Sequence, residues 1–262
     1  MWPDGNKLAV SVTVDIDAET MWTSRDPGNS SRPAVLSQAG FEIKYGIDLF
    51  LDLFEELSIP ATFFVPGWVA EKHGEVIKRI ADAGHELANH GYDHARISNH
   101  PPEYERWALE RTNEALERLS GQPVLGYRAG YFEVTRTTLE TMSELGMKYS
   151  SNFADSLMPY THEDSDIVEV PTSSMWDDGP YYLFATEPPN YRQMYPPSVV
   201  HDMWLAEFEA MREMGGVMTP LLHPQLSARP SRLAALARLL RTMKEQGAYF
   251  ATCATIAQLR DW

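Results

Sequence analysis

The chain has 262 residues, with 22 Lys plus Arg against 37 Asp plus Glu, a formal charge of −15. Its composition, 44% hydrophobic and 23% charged, is that of a globular protein able to bury about three-quarters of the surface its unfolded chain exposes. The acidic balance excludes a phosphate-backbone binder, since that binding rests on Lys and Arg displacing counterions, and no apolar run approaches the roughly 20 residues of a membrane span. Partners in nucleic acid and membrane are therefore not expected.

The amino terminus, Met1-Trp2-Pro3-Asp4-Gly5-Asn6-Lys7, lacks the basic and apolar regions of a signal peptide, so a cytoplasmic location is expected. Residues 8–14 read as the first strand, followed by a Gly/Ser/Pro-containing loop at 23–40. Ile47, Phe50, Leu53, Phe54 and Leu57 then recur at helical spacing, and 61–65 reads as a buried strand. A helix over 69–83 ends at the cap glycine Gly84, a third strand covers 86–89, and 91–100 is a loop at its carboxyl end. Pro101 and Pro102 start a helix over 104–119 that Gly121 ends. Further strands are predicted at 125–128, 148–152, 167–170, 217–222 and 249–252, with helices at 135–145, 199–214 and 231–245. The stretch 176–197, with five prolines and four tyrosines, has no clear period and reads as a long ordered loop or lid. The one cysteine, Cys253, falls in a run that looks like buried strand, as a packed thiol. Strands alternating with helices predict an α/β fold: a complete or distorted (β/α) barrel, one domain over 1–262.

In such a barrel the chemistry lies at the carboxyl ends of the strands. Strand one ends in Asp15-Ile16-Asp17-Ala18-Glu19, strand three in Asn89-His90-Gly91-Tyr92-Asp93-His94, strand four in Arg128-Ala129-Gly130-Tyr131, and strand seven in Leu221-Leu222-His223-Pro224. His90 and His94 are four apart, either a chance pair or two ligands of a two-His, one-carboxylate metal site completed by Asp17. Asp15 projects to the same side as Asp17, leaving one carboxylate free to take a proton; the bland reading of both is a solvated loop start. His223 reads either as a hydrogen-bonded core histidine or as a general acid for a leaving nitrogen. Arg128 is either a bidentate tether for Asp15 or an ordinary salt bridge.

These four motifs, in this order, resemble the polysaccharide deacetylase family, the NodB-homology or carbohydrate esterase 4 group, over nearly the whole chain. The resemblance implies a distorted (β/α) barrel that hydrolyses amides with Zn2+ or another divalent ion such as Co2+, Mn2+ or Ni2+. It implies Asp17, His90 and His94 as ligands, Asp15 as base, Arg128 as its tether and His223 as acid. Two departures, the separated aspartates and proline after His223, are similar to a subgroup of peptidoglycan deacetylase-like proteins, cyclic imide hydrolases and metal-independent allantoinases. Residues 226–232, Leu-Ser-Ala-Arg-Pro-Ser-Arg, are similar to a segment of that subgroup, and Trp176-Asp177-Asp178 to its middle motif. The comparison implies that Trp176 walls the pocket and that one aspartate orients His223 or binds substrate. Tyr131, Trp176, Asp178 and Glu19 are the candidate substrate contacts.

The leading expectation is thus a metal-dependent hydrolase of non-peptide carbon–nitrogen bonds, an N-deacetylase of an N-acetylated amino sugar or glycan. Ring opening of a cyclic imide or ureide, with or without metal, is the alternative, and a catalytically silent binding protein on the same barrel is a third reading. A small-molecule or glycan substrate is expected. The subgroup resemblance implies a homo-oligomer, a dimer or tetramer.

Overall fold

The computed structural model describes residues 2–186, 189–190 and 193–259. The apolar run expected as one strand divides at Ser11 into β1 (Leu8–Val10) and β2 (Val12–Asp15). Its neighbour divides in step, into β11 (Gly216–Met218) and β12 (Leu221–Leu222). Pro220 has no N–H to give to a ladder, so strict pairing lapses there, yet the Ser11 and Thr13 N–H groups still donate to Met218 O (2.9 Å) and Pro220 O (2.8 Å). β1 thereby joins β11 and β13 (Tyr249–Phe250) in a three-stranded parallel sheet.

The larger sheet has eight strands in the order β12-β2-β3-β4-β5-β6-β8-β7. They include β3 (Ala61–Val65), β4 (Glu86–Asn89), β5 (Gly126–Tyr127), β6 (Tyr149–Ser150), β7 (Tyr160–Thr161) and β8 (Val168–Glu169). Every pairing is parallel except β7 with β8. β2 and β3 are buried throughout, as strands covered on both faces must be. Among the described residues β8 and β12 do not pair; the isolated bridge Asp177–Leu221 spans that side, so the barrel is distorted and open along one seam.

The helices are α1 (Thr20–Thr23), α2 (Pro33–Phe41), α3 (Ile47–Leu57), α4 (Gly67–Lys72), α5 (Gly74–Asp82), α6 (Pro102–Ser120), α7 (Arg136–Glu144), α8 (Gly179–Tyr182), α9 (Pro197–Met214), α10 (Pro224–Ser227), α11 (Pro230–Glu245) and α12 (Cys253–Leu259). α6 starts at Pro102 and stops at Gly121, whose φ of 68° places it in the left-handed region where glycine is favoured. The helix expected over 69–83 is two, broken at His73.

Three expectations are corrected. The loop at 23–40 contains α2, which runs through a π-helical turn, Glu42–Gly46, into α3; its Pro, Ser and Gly read locally as loop, but Pro33 sits in the first turn, where proline is tolerated. The 176–197 stretch carries α8 and a short antiparallel pair, β9 (Ala185–Thr186) with β10 (Pro189–Asn190), while 187–188 and 191–192 lie outside the described residues. Cys253 opens α12 rather than lying in a strand; it is a buried thiol 3.3 Å from Ser11 Oγ, pushed up to about 12 by burial. Among the described residues no helix is long and apolar enough to cross a membrane.

Candidate active site

β2 delivers Asp15 at its end, and Asp17 follows two residues on. The Ile16 N–H donates to Phe64 O at 2.9 Å, which carries the extended backbone one step past the strand and keeps both carboxylates on one side. The chain then turns at Ala18, a non-glycine at φ 45°. That turn is held by the Ala18 N–H donating to Glu42 Oε1 at 2.9 Å and by Thr20 Oγ1 donating to Asp17 O at 2.6 Å.

Arg128 is fully buried, an arrangement tolerable only if its donors are used. Nη1 donates to Asp15 Oδ1 and to Thr13 Oγ1 (2.9 Å each), Nε to Ser151 O (3.1 Å) and Nη2 to Ser151 Oγ (2.9 Å). The guanidinium lies over the Phe64 ring at 4.2 Å. The bidentate tether is thus corrected to a single-nitrogen contact, because the other donors serve Ser151.

β4 ends at Asn89, whose amide donates to Leu109 O and Asn113 Oδ1 and whose Oδ1 accepts the Gly91 N–H at 2.8 Å, so the loop carrying the two histidines is tied to α6. His90 Nδ1 lies 2.8 Å from the Arg128 carbonyl, an acceptor only, so Nδ1 carries a proton and Nε2 is the nitrogen turned to the carboxylates. Nε2 sits 3.3 Å from Asp17 Oδ1 and 3.6 Å from Asp15 Oδ2. His94, at φ 59°, places its Nε2 3.6 Å from Asp17 Oδ2, with its ring edge-on to those of His90 and Tyr131. Ser24 Oγ lies 3.4 Å from His94 Nδ1 and 3.1 Å from Tyr131 Oη.

One ligand atom each from Asp17, His90 and His94 lies within 4.8 Å of the other two. Among the described residues, Asp17 Oδ1 and His90 Nε2 are buried and have no hydrogen-bond partner. Orphaned buried polar atoms are costly unless something binds them, and two imidazoles with one carboxylate are the donor set of an open divalent site, so these residues fit a metal. Burial opposes ionisation of Asp17, but the imidazoles of His94, His90 and His223 outweigh it and hold the carboxyl well below the ordinary carboxylate range. Burial pushes His94 down to about 4.

His223 follows β12. Its Nδ1 meets Asp178 Oδ1 at 2.6 Å, its N–H donates to Asp178 Oδ2 at 2.9 Å, and Ser227 Oγ donates to the same Oδ2. Burial works against the imidazolium, but the Asp178 charge and hydrogen bond raise His223 well above its ordinary value. The other nitrogen, Nε2, is 3.6 Å from Asp17 Oδ2. Asp177, Asp178 and His223 also converge tightly, yet the direct His223–Asp178 hydrogen bond already satisfies that group.

A cavity of about 450 Å³ is lined by Asp15, Asp17, His94, Tyr131, Asp177 and His223, with Arg25, Arg96 and Leu183 at its walls. Three expected substrate contacts do not line this cavity. Asp178 is fully buried behind His223, and the residue that faces the cavity is Asp177, raised to about 6 by burial and the Asp178 charge. Trp176 is a core residue whose Nε1–H donates to Thr219 Oγ1, because the seam turns its ring inward. Glu19 points away to Lys72 Nζ and His73 Nε2, each at 3.0 Å. Tyr131 does line the cavity, with the Arg96 guanidinium 4.1 Å above its ring. Sequence reasoning gave no role to Glu42 or Gln225: Glu42 belongs to no strand-end motif, Gln225 follows the last one directly, and the π-turn and α10 bring them behind the Asp17 loop.

The family model described as polysaccharide deacetylase matches residues 45–150. The chain is 30% identical to the peptidoglycan deacetylase of Helicobacter pylori over 96% of its own length and 95% of that protein's. It superposes on a Mycobacterium smegmatis structure classed among polysaccharide deacetylases with a TM-score of 0.95 and 36% identity, covering 99% of this chain and 92% of the other. PuuE allantoinase shares the fold at a TM-score of 0.84 and 20% identity, over 98% and 91% of the two chains. The chain therefore belongs to the polysaccharide deacetylase family and is a hydrolase acting on amide carbon–nitrogen bonds.

Proposed function

We propose that the protein is a metal-dependent N-deacetylase of an N-acetylated amino sugar or glycan. The observation that carries this reading is the pair of orphaned buried atoms, Asp17 Oδ1 and His90 Nε2, converging with His94 beside a tethered carboxylate and an anchored imidazole. Asp17, His90 and His94 would hold the divalent ion, Zn2+ or one of its close relatives, which when bound supplies Lewis-acid polarisation of the substrate carbonyl. Asp15, oriented by Arg128, takes the proton of the attacking water as its oxygen bonds to the amide carbon. Asp178 keeps Nδ1 of His223 engaged, so the proton delivered to the departing nitrogen, as the carbon–nitrogen bond breaks, comes from Nε2. The amine and the carboxylic acid are the products. Tyr131 and Asp177 wall the cavity where the acyl group and its neighbours would sit.

The test is elemental analysis of the protein beside its Asp17→Ala variant, with deacetylation of an N-acetylated oligosaccharide assayed in both. About one divalent ion per chain, lost in the variant together with activity, is expected. No ion in either after incubation with Zn2+ would overturn metal dependence and favour direct ring opening of a cyclic imide or ureide by the same acid and base.

A further inference from the structure

A second cavity, also of about 450 Å³, lies beside the first; Leu226 lines both. Its wall carries Trp22, Gln38, Tyr182, Leu226, Arg229 and Arg232. Leu226 is one helical turn from His223, its N–H donating to His223 O at 2.8 Å, and Tyr182 precedes Leu183 of the first cavity, so one short helix on each side separates the two spaces. The two arginines belong to the 226–232 segment that the proposed chemistry leaves without a role.

Each guanidinium is held but not neutralised. Arg229 Nε donates to Gln225 O at 3.2 Å and its Cζ lies 3.6 Å from the centroid of the Phe41 ring. Arg232 Nη1 donates to Leu226 O at 3.0 Å, its Cζ lies 4.3 Å from the centroid of the Tyr182 ring, and among the described residues Nη2 reaches only the weak acceptor Met194 Sδ at 3.4 Å. Among the described residues no carboxylate pairs with either, in a chain with 37 acidic side chains against 22 basic ones. Burial and the neighbouring Arg232 charge push Arg229 below its ordinary value, and burial does the same to Arg232. The aromatic contacts and the hydrogen bonds to backbone carbonyls hold both guanidinium groups in advance, which lowers the entropic cost of binding a planar anion through their remaining N–H groups.

We propose that this cavity is a subsite for a carboxylate borne by the substrate, so that the enzyme prefers acidic amides, amino sugars carrying both an N-acetyl and a carboxylate group. The assignment rests on the deacetylase reading for what is cleaved, but not for where the anion binds. With the amide carbonyl at the Asp17 side and the carboxylate at the arginines, Leu226 is the divider over which the substrate lies.

The test compares an N-acetylated amino-sugar oligomer with the same oligomer bearing an ether-linked lactyl carboxylate, using metal-loaded wild type, Arg229→Gln, Arg232→Gln and Arg232→Lys. Wild type should show the higher kcat/KM on the acidic compound. That preference should fall about tenfold in each Gln variant, chiefly through KM, and less in Arg232→Lys, which retains the charge. Calorimetric binding of the acidic oligomer should weaken by the same factor. Circular dichroism melts establish that each variant is folded, and the Lys variant carries the comparison at Arg232 if the Gln variant is not. An unchanged preference and unchanged affinity in folded variants would overturn the subsite. Inorganic phosphate or acetate bound at these arginines as tightly as the acidic oligomer would show a free-anion site and overturn the substrate-borne assignment. If wild type cleaves neither compound, the deacetylase reading fails, and the calorimetry alone decides the subsite.

Discussion

His223 and Glu42 are both buried and both titrate far from their ordinary values, in ways that can be measured separately. Because Asp178 keeps His223 protonated above the usual imidazole range, the alkaline limb of kcat/KM should lie above pH 6.5. Asp178→Asn removes the charge that raises it; the limb should move to lower pH by about one unit or more and the rate should fall. An alkaline limb unmoved by the substitution would remove His223 from the acid role. Glu42 is pushed up to about 8, first by burial and then by the Asp17 charge, against the Ala18 N–H that favours its ionised form. A carboxyl raised in the folded state stabilises fully below its unfolded value of 4.5, and that contribution is lost as pH rises through about 8. Glu42→Gln keeps an acceptor for Ala18 without the charge. On chelator-treated protein its melting temperature should match wild type near pH 5 and exceed it at pH 8, by an amount equivalent to a few kcal/mol.

At the scale of elements, the site depends on backbones that leave room for side chains. Gly130, just past β5, faces His94: a Cβ there would lie 2.8 Å from His94 Cγ. The His94 ring has nowhere to go without leaving Asp17, since His90 and Tyr131 pack on its edges. Gly130→Ala should therefore weaken divalent-ion affinity about tenfold or more, read by competition with a chelating dye, while leaving the melting temperature of the metal-free protein nearly unchanged. The π-turn between α2 and α3 is a second such device. It places Glu42 against Ala18, and an uninterrupted α-helix would rotate every later residue of that face.

For the whole molecule, the two larger sheets divide the labour. The eight-stranded sheet presents the motifs at its carboxyl ends, while the three-stranded sheet closes the amino-terminal end, where Trp2 is buried with Val217, Ala251 and Ile256 and donates Nε1–H to Gly216 O at 2.7 Å. Trp2→Ala should lower stability by about 3–5 kcal/mol in denaturant titrations, with kcat/KM unchanged, because the cavity it creates is at the far end from Asp17. A loss of activity in the folded variant would show that the two ends are coupled.

The strand-end motifs were legible because a parallel barrel makes a simple rule: polar residues that interrupt an apolar strand at its carboxyl end face the site. Asp15, Asp17, His90, His94, Arg128 and His223 all follow it, and the structure brings all six together. Helix boundaries such as those of α6 and α11 were likewise readable from proline and glycine at their ends and from apolar periodicity. Local signals failed where long-range contacts decide. Adjacent Asp177 and Asp178 are indistinguishable in sequence, and only the bridge to Leu221 turns one into the cavity and the other behind His223. Glu19, two residues after Asp17, was drawn off by Lys72 at the end of α4 and by His73 that follows it, and Glu42 entered the site through a π-turn that composition does not announce. The sequence by itself determined which chemistry the strand ends carry, since period and residue type are local properties; which of the remaining polar groups face it was decided by tertiary packing, which sets side-chain direction across the seam.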